Sequence, residues 1–180
     1  MSTEYEAKIL NVDPGDIAKR VIDAGGRVVG SSLQRRYVYD INPDDQSRWM
    51  RLRESGTLFD TKTTLTVKHI RHDGIDGTEE VEVEVGDFDR MHQLLKLQGF
   101  APKAYQENRR TSYVLDGAEV EVDEWPMIPA YLEIEGLDRE HVIEVAALLG
   151  YRIKDLTAEN TTKVYARYGI VLSAYPNLRF

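Results

Sequence analysis

The 180-residue chain contains no cysteine, so disulfides and thiolate chemistry of any kind are excluded. No apolar run approaches the ~18 residues that a membrane-spanning helix needs. The first residues also lack the apolar core of a secretory signal. A cytoplasmic protein with no membrane partner is therefore the expectation. Basic residues are the minority charge, 23 Lys and Arg against 31 Asp and Glu, giving a formal net charge of −8. That balance argues against general nucleic-acid binding, which calls for a basic surface. It leaves room for a small anionic substrate, because such a ligand needs cations gathered at one place and not an excess overall. A phosphate loop is missing too: no Gly-x-x-x-x-Gly-Lys pattern occurs, and Gly25-Gly26 reads as a helix stop. Linkers and low-complexity tracts are absent, so residues 1–180 are expected to form a single domain.

What is present is alternation. In an extended chain successive side chains point to opposite faces, so Glu4, Glu6 and Lys8 share one face while Tyr5, Ala7 and Ile9 share the other. The same layout returns at Trp49-Met50-Arg51-Leu52-Arg53, at Leu65-Thr66-Val67-Lys68, and at Glu80 to Val85, where three carboxylates oppose three valines. It returns again at Asn108 to Leu115, at Glu119 to Asp123 and at Tyr131 to Glu135. Residues 27–40 also read as extended, and the Asp116-Gly117 step between two alternating runs predicts a hairpin. Apolar residues at helical spacing predict helices over 14–24, 87–98, 139–149 and about 158–168, with a loosely held tail behind them. Trp125-Pro126 reads as a loop anchor. His69, His72, His92 and His141 share no spacing and read as surface residues.

Amphipathic helices need an apolar surface, and the apolar faces of the strands supply one: an α+β arrangement follows. The charged strand faces then have two fates, an outer wet face of an open sheet or the inner face of a closed barrel. Acids cluster on some segments (Glu4/Glu6, Glu80/Glu82/Glu84, Glu119/Glu121/Asp123, Glu133/Glu135) and bases on others (Arg51/Arg53, Lys68, Arg109/Arg110). Like charges side by side gain little on a wet surface. Facing opposite charges across a lumen, they would balance. The pattern by itself leaves both fates open.

The opening Glu4-x-Glu6-x-Lys8 resembles the signature of the CYTH superfamily, the triphosphate tunnel enzymes. The rest of that family's pattern follows in order. Tyr39-Asp40 is similar to its aromatic-Asp step, Met50-Arg51-Leu52-Arg53 to its L-R-x-R strand, and Leu65-Thr66-Val67-Lys68 to its L-T-x-K strand. Glu80 and Glu82 (or Glu82 and Glu84) fit its paired glutamates. Arg110, Tyr113, Asp123 and Glu133-Ile134-Glu135 fall where its second half expects them. The resemblance implies a closed antiparallel β-barrel, a tunnel with a charged interior and helices packed outside. It implies Glu4, Glu6, Asp123, Glu133 and Glu135 as ligands of Mg²⁺ or Mn²⁺, and Lys8, Arg51, Arg53, Lys68 and Arg110 as phosphate-binding cations. Glu4, Glu6 and Lys8 are the implied catalytic core.

Two departures stand out: Asn108 occupies a position where the family usually has a lysine, and Thr78 or Glu80 one where it commonly has an arginine. Glu119 and Glu121 read equally well as lumen or rim charges. The activity implied is metal-dependent hydrolysis of a small triphosphate: tripolyphosphate, a nucleoside triphosphate such as ATP, or thiamine triphosphate. Cyclisation of ATP, as by class IV adenylyl cyclases, and non-catalytic polyphosphate binding are the rivals. A homodimer is compatible with all three.

Overall fold

In the computed structural model, which describes residues 1–56 and 61–180, the alternating segments fold as strands. They are β1 (Ser2–Leu10), β2 (Arg27–Asp40), β3 (Arg48–Gly56), β4 (Thr61–Ile70), β5 (Thr78–Val85), β6 (Pro102–Leu115), β7 (Ala118–Glu124), β8 (Tyr131–Gly136) and the two-residue β9 (Asn177–Leu178). The spatial order is β2-β3-β4-β5-β1-β8-β7-β6, and β6 pairs back onto β2 to close the ring. Every ladder of that ring is antiparallel. The closing β2–β6 ladder carries register shifts at Val28/Gly30 and Val38/Tyr39, irregularities that bend a strand and let a sheet curl. The β6–β7 hairpin turns on Asp116 and Gly117, both with positive φ (51° and 83°), as the expected two-residue turn requires.

One weak seam interrupts the ring. β1 pairs with β5 only through Ser2, Thr3 and Glu4. Beyond that point loop backbone takes over: Glu6 N–H donates to the Ile75 carbonyl at 2.9 Å, and Lys8 exchanges hydrogen bonds of 2.7 and 2.9 Å with Thr157. The backbone of the sequence motif that opens the chain is thus satisfied on both sides, as buried amides demand.

Among the described residues four α-helices lie outside: α1 (Pro14–Asp23), α2 (Phe88–Leu97), α3 (Arg139–Leu148) and α4 (Thr161–Arg167). Each begins on an Asp or Asn whose side chain accepts the backbone N–H three residues on: Asp13, Asp87, Asp138 and Asn160. α1 and α3 cover the outward residues of β1, β7 and β8, burying Ala7, Ile9, Val120, Leu132 and Ile134 against Ile17, Val21, Val142 and Val145. α2 covers Tyr39, Met50 and Leu52 with Phe88 and Leu95. α4 and the C-terminal segment gather Trp125, Ile128, Tyr131, Tyr165, Leu172 and Leu178 into a third cluster. Among the described residues no helix is long and apolar enough to cross a membrane.

Two expectations from sequence need correction. The last helix starts at Thr161, not near 158, because Thr157 is held in the bridge to Lys8 and Asn160 supplies the cap. The tail is not loosely held: Asn177 and Leu178 pair in parallel with Tyr105 and Gln106, Leu178 is buried, and Arg179 lies 4.3 Å over the Tyr105 ring. Replacing a buried leucine by alanine costs about 2–5 kcal/mol, whereas an exposed substitution stays within about 0.5 kcal/mol. Leu178→Ala should therefore lower the urea midpoint clearly, while Leu97→Ala, at a side chain 90% exposed, should leave it in place.

Candidate active site in the charged lumen

Inside the ring, alternate residues of all eight strands converge, and register decides which charges meet. On one wall, formed by β1, β8 and β7, Glu6 faces Glu135, Lys8 faces Glu133, Glu119 faces Glu135 and Glu121 faces Glu133. On the other, formed by β2, β3, β4 and β5, Arg36 faces Arg53, Arg51 faces Thr66, and Lys68 faces Glu80. Arg110 of β6 stands opposite Asp123 and so belongs with the acids.

Most of the acids find a cation. Lys8 Nζ lies 2.8 Å from Glu6 and 3.0 Å from Glu133. Lys68 Nζ donates to both oxygens of Glu4 at 2.6 and 2.7 Å and lies 3.3 Å from Glu80. Arg110 forks onto Asp123 through Nε and Nη2 at 2.7 and 2.6 Å, reaches Glu133 at 3.0 Å, and also pairs with Glu121. Asn108 adds its Nδ2 to Asp123 at 2.8 Å. Burial alone would weaken the Lys8 and Arg110 charges, but the surrounding carboxylates win and hold both protons well above the ordinary range. Burial likewise pushes the Glu133 carboxyl up, and Lys8 and Arg110 overcome it and keep that group ionised.

For Glu4, Glu135 and, despite Arg110, Glu121, burial wins instead. Burial, helped by Glu6 and Glu80, pushes Glu4 up to about 8 despite its contact with Lys68. Burial, with Glu6, Glu133 and Glu119 nearby, pushes Glu135 to about 7. Negative charge is therefore crowded around Glu4, Glu6 and Glu135 with too few cations to match it. The opposite imbalance holds across the lumen. Among the described residues Arg51 and Arg53 approach one carboxylate, Glu82, at 3.6 and 3.5 Å, while Thr66 Oγ1 donates to that carboxylate at 2.6 Å. Arg53 is pulled down to about 10 by Arg51 and by burial.

The ten site residues expected from sequence are thus assembled in one lumen, though not on equal terms. Glu4, Glu6 and Glu135 form a crowded acidic pole, and Arg51 and Arg53 a cationic one. Asp123 and Glu133 are already engaged by Arg110 and Lys8. Among the described residues no three acids or histidines are drawn together as a ready-made metal cage. The donor set is nonetheless all carboxylate oxygen, the kind that hard dications take, and the surplus charge at Glu4 and Glu135 is what such an ion would relieve.

Sequence reasoning passed over Arg36. It follows Arg35 in the chain, so the two arginines occupy both parities, and alternation gave no sign of which one points inward. Arg36 is the inward one and is 6% exposed; Arg35 pairs with Glu54 and lies 4.3 Å over the Phe88 ring. Trp125 is an anchor, as expected: buried, under Arg36 at 4.7 Å and edge-on to Tyr165. His92 stacks on Tyr37 at 4.0 Å and shares a 2.8 Å hydrogen bond with the Tyr39 hydroxyl, and His141 binds backbone at the start of α3.

The CYTH domain model matches residues 2–165. No protein of curated function matches the chain. Among solved structures, a conserved hypothetical protein from Pyrococcus furiosus is 25% identical with a TM-score of 0.75, covering 88% of this chain and 98% of its own. A Vibrio parahaemolyticus protein provisionally described as an adenylate cyclase is 14% identical, TM-score 0.75, over 92% of this chain and 98% of that one. A Hippeastrum protein, provisionally an adenylyl cyclase and described as having a dominant triphosphatase activity, is 16% identical, TM-score 0.62, over 94% and 96%.

A carboxyl whose folded-state value is raised binds more protons folded than unfolded, so stability falls as pH climbs between the two values. For Glu4 that window runs from the ordinary carboxyl value of 4.5 to about 8. The urea midpoint of the metal-free protein should thus fall relative to Glu4→Gln as pH rises from 5 to 8.5. Parallel pH curves for the two proteins would contradict the crowding described.

Proposed function

The chain belongs to the CYTH family, and on that premise we propose that it is a divalent-metal-dependent hydrolase of a small triphosphate. The observation that carries this reading is the division of one enclosed lumen into a pole with surplus carboxylate (Glu4, Glu6, Glu135) and a facing pole with surplus guanidinium (Arg51, Arg53). A polyphosphate chain and a dication together complement both.

In this reading Arg51 and Arg53 bind phosphoryl oxygens through their forked donors. Among the described residues the one carboxylate paired with them, Glu82, lies beyond ordinary hydrogen-bond length, so substrate oxygens displace no strong pair there. Lys68, held between Glu4 and Glu80, bridges the two poles. Lys8 and Arg110 keep their protons throughout the working range and act as fixed positive charges, not as acids. Glu4, Glu6 and Glu135, with Asp123 and Glu133 behind them, would hold Mg²⁺ or Mn²⁺. When bound, that ion supplies charge neutralisation and lowers the pKa of a coordinated water. Phosphoryl transfer needs mainly positioning and electrostatic stabilisation, and both are what these side chains provide. Hydrolysis is preferred to ATP cyclisation because it asks for no grip on a ribose hydroxyl. The dominant triphosphatase activity described for the Hippeastrum protein of the same fold supports that preference.

With Mg²⁺ or Mn²⁺ present, the purified protein should release phosphate from tripolyphosphate, and Glu6→Gln, which removes a carboxylate that would hold the ion, should lower kcat on the order of a hundredfold or more. Separation of the products formed from ATP decides between the activities: ADP and phosphate for the hydrolase, cAMP for the cyclase. Undiminished turnover in chelator would sink the metal-dependent reading.

A further inference from the structure

Among the described residues Arg36 is a buried charge with no carboxylate paired to it. Its Nη2 donates to two neutral amides, Gln34 Oε1 at 2.8 Å and Asn108 Oδ1. Its Nε is buried and has no partner, and Arg51 Nε, on the neighbouring strand, is orphaned in the same way. Among the described residues no carboxylate forms an ion pair with it. Burial, then Arg51 and Arg53, pull its pKa down to about 9, although a guanidinium does not give up its proton in a protein. The residue that could have neutralised it is held off: Asn108 stands between, taking Arg36 on its oxygen and giving its nitrogen to Asp123 at 2.8 Å, while Arg110 forks onto the same carboxylate.

A buried, unpaired guanidinium costs several kcal/mol unless something compensates it. Here two more guanidiniums stand beside it and, among the described residues, pair with Glu82 alone. The face of Arg36 lies on Trp125, part of the apolar cluster that α4 and the C-terminal segment build, so its plane is fixed before any ligand arrives.

We propose that Arg36 is a third phosphate-binding residue, which closes a three-guanidinium cradle with Arg51 and Arg53 around the terminal phosphoryl group of the substrate. The proposal rests on the triphosphate reading of the lumen and adds to it a residue and a specificity: the substrate is gripped by a free phosphate end, whose formal double negative charge three forked donors match. Asn108 and Gln34 serve by being neutral. They hydrogen-bond the guanidinium without spending its charge.

The test is calorimetric titration of the full-length protein with tripolyphosphate, with thermal unfolding of each variant alongside. Loss of a hydrogen-bonded charge partner is worth about 1.5–3 kcal/mol, so Arg36→Gln should weaken binding on the order of tenfold to a hundredfold, and Arg36→Lys, which keeps the charge and loses the fork, should fall between. Gln34→Glu keeps Arg36 and its stacking on Trp125 but places a carboxylate against Nη2, and should weaken tripolyphosphate to a similar degree. It decides the matter if Arg36→Gln does not fold. If the wild type binds and folded Arg36→Gln and Gln34→Glu bind within twofold of it, or if only the thermal midpoints move, Arg36 is a packing residue and the proposal fails. If the wild type itself does not bind tripolyphosphate, the triphosphate reading falls first.

Discussion

A charge removed from water must be met by an opposite charge, and that constraint shapes this barrel from the inside. Lys8, Asp123 and Asn108 are almost wholly buried, yet they sit in a continuous chain of contacts that runs from Arg36 through Asn108, Asp123, Arg110 and Glu133 to Lys8 and Glu6. Breaking such a pair by deleting one member costs about 3–5 kcal/mol, because the survivor stays buried and unmatched. The outside of the ring does the ordinary work of folding. Fully burying an aliphatic side chain contributes about 1.5–3 kcal/mol, and α1 and α3 bury many of them on β1, β7 and β8. The interior network is too polar to drive collapse. What it supplies is register.

Register matters here because the side-chain period of a strand is two. A slip of one residue along β1 would carry Glu4, Glu6 and Lys8 under the helices and turn Ala7 and Ile9 into the lumen. On the acid wall that error meets a double penalty, since the charges lose their partners and the apolar residues lose theirs. β5 is different. Its outward Val81 and Val83 are about half exposed, so little apolar burial fixes its position. The hydrogen bond from Thr66 to Glu82 and the contact of Lys68 with Glu80 then carry more of the task.

The same periodicity explains what could be seen in the sequence. Where charge and apolar residues alternate without exception, as in Glu4 to Ile9 or Glu80 to Val85, the division into a charged and an apolar face was plain, and the Asp116-Gly117 turn and the helices followed from local rules. Closure of the barrel was not legible from alternation, because an open sheet has the same strand pattern. Only the agreement of several spaced motifs with the tunnel family supplied it. Arg36 was hidden for a reason intrinsic to its strand. Gln34, Arg35, Arg36, Tyr37, Val38 and Tyr39 place large side chains on both parities, since Tyr39 is buried beneath α2 and Arg36 is buried within the lumen. The pinned tail escaped notice because two buried leucines and a two-residue parallel pairing leave no periodic trace.

The departure at position 108 gains its meaning from the fold. A lysine there would bring a second cation up to Arg36, with Asp123 already committed to Arg110. An asparagine instead accepts from one side and donates to the other, so that the acidic network ends at Asp123 and the basic cluster begins at Arg36. The two poles remain distinct because the residue between them is uncharged. The orphaned nitrogens of Arg36 and Arg51 lie on the basic side of that separation, and Asp123, the carboxylate just beyond Asn108, is held by Arg110. A cavity whose charges all cancelled would be stable when empty and would gain little from an ion pair of phosphate and metal. One whose two sides are each left short of counter-charge holds in reserve the free energy that a ligand carrying both signs releases when it enters.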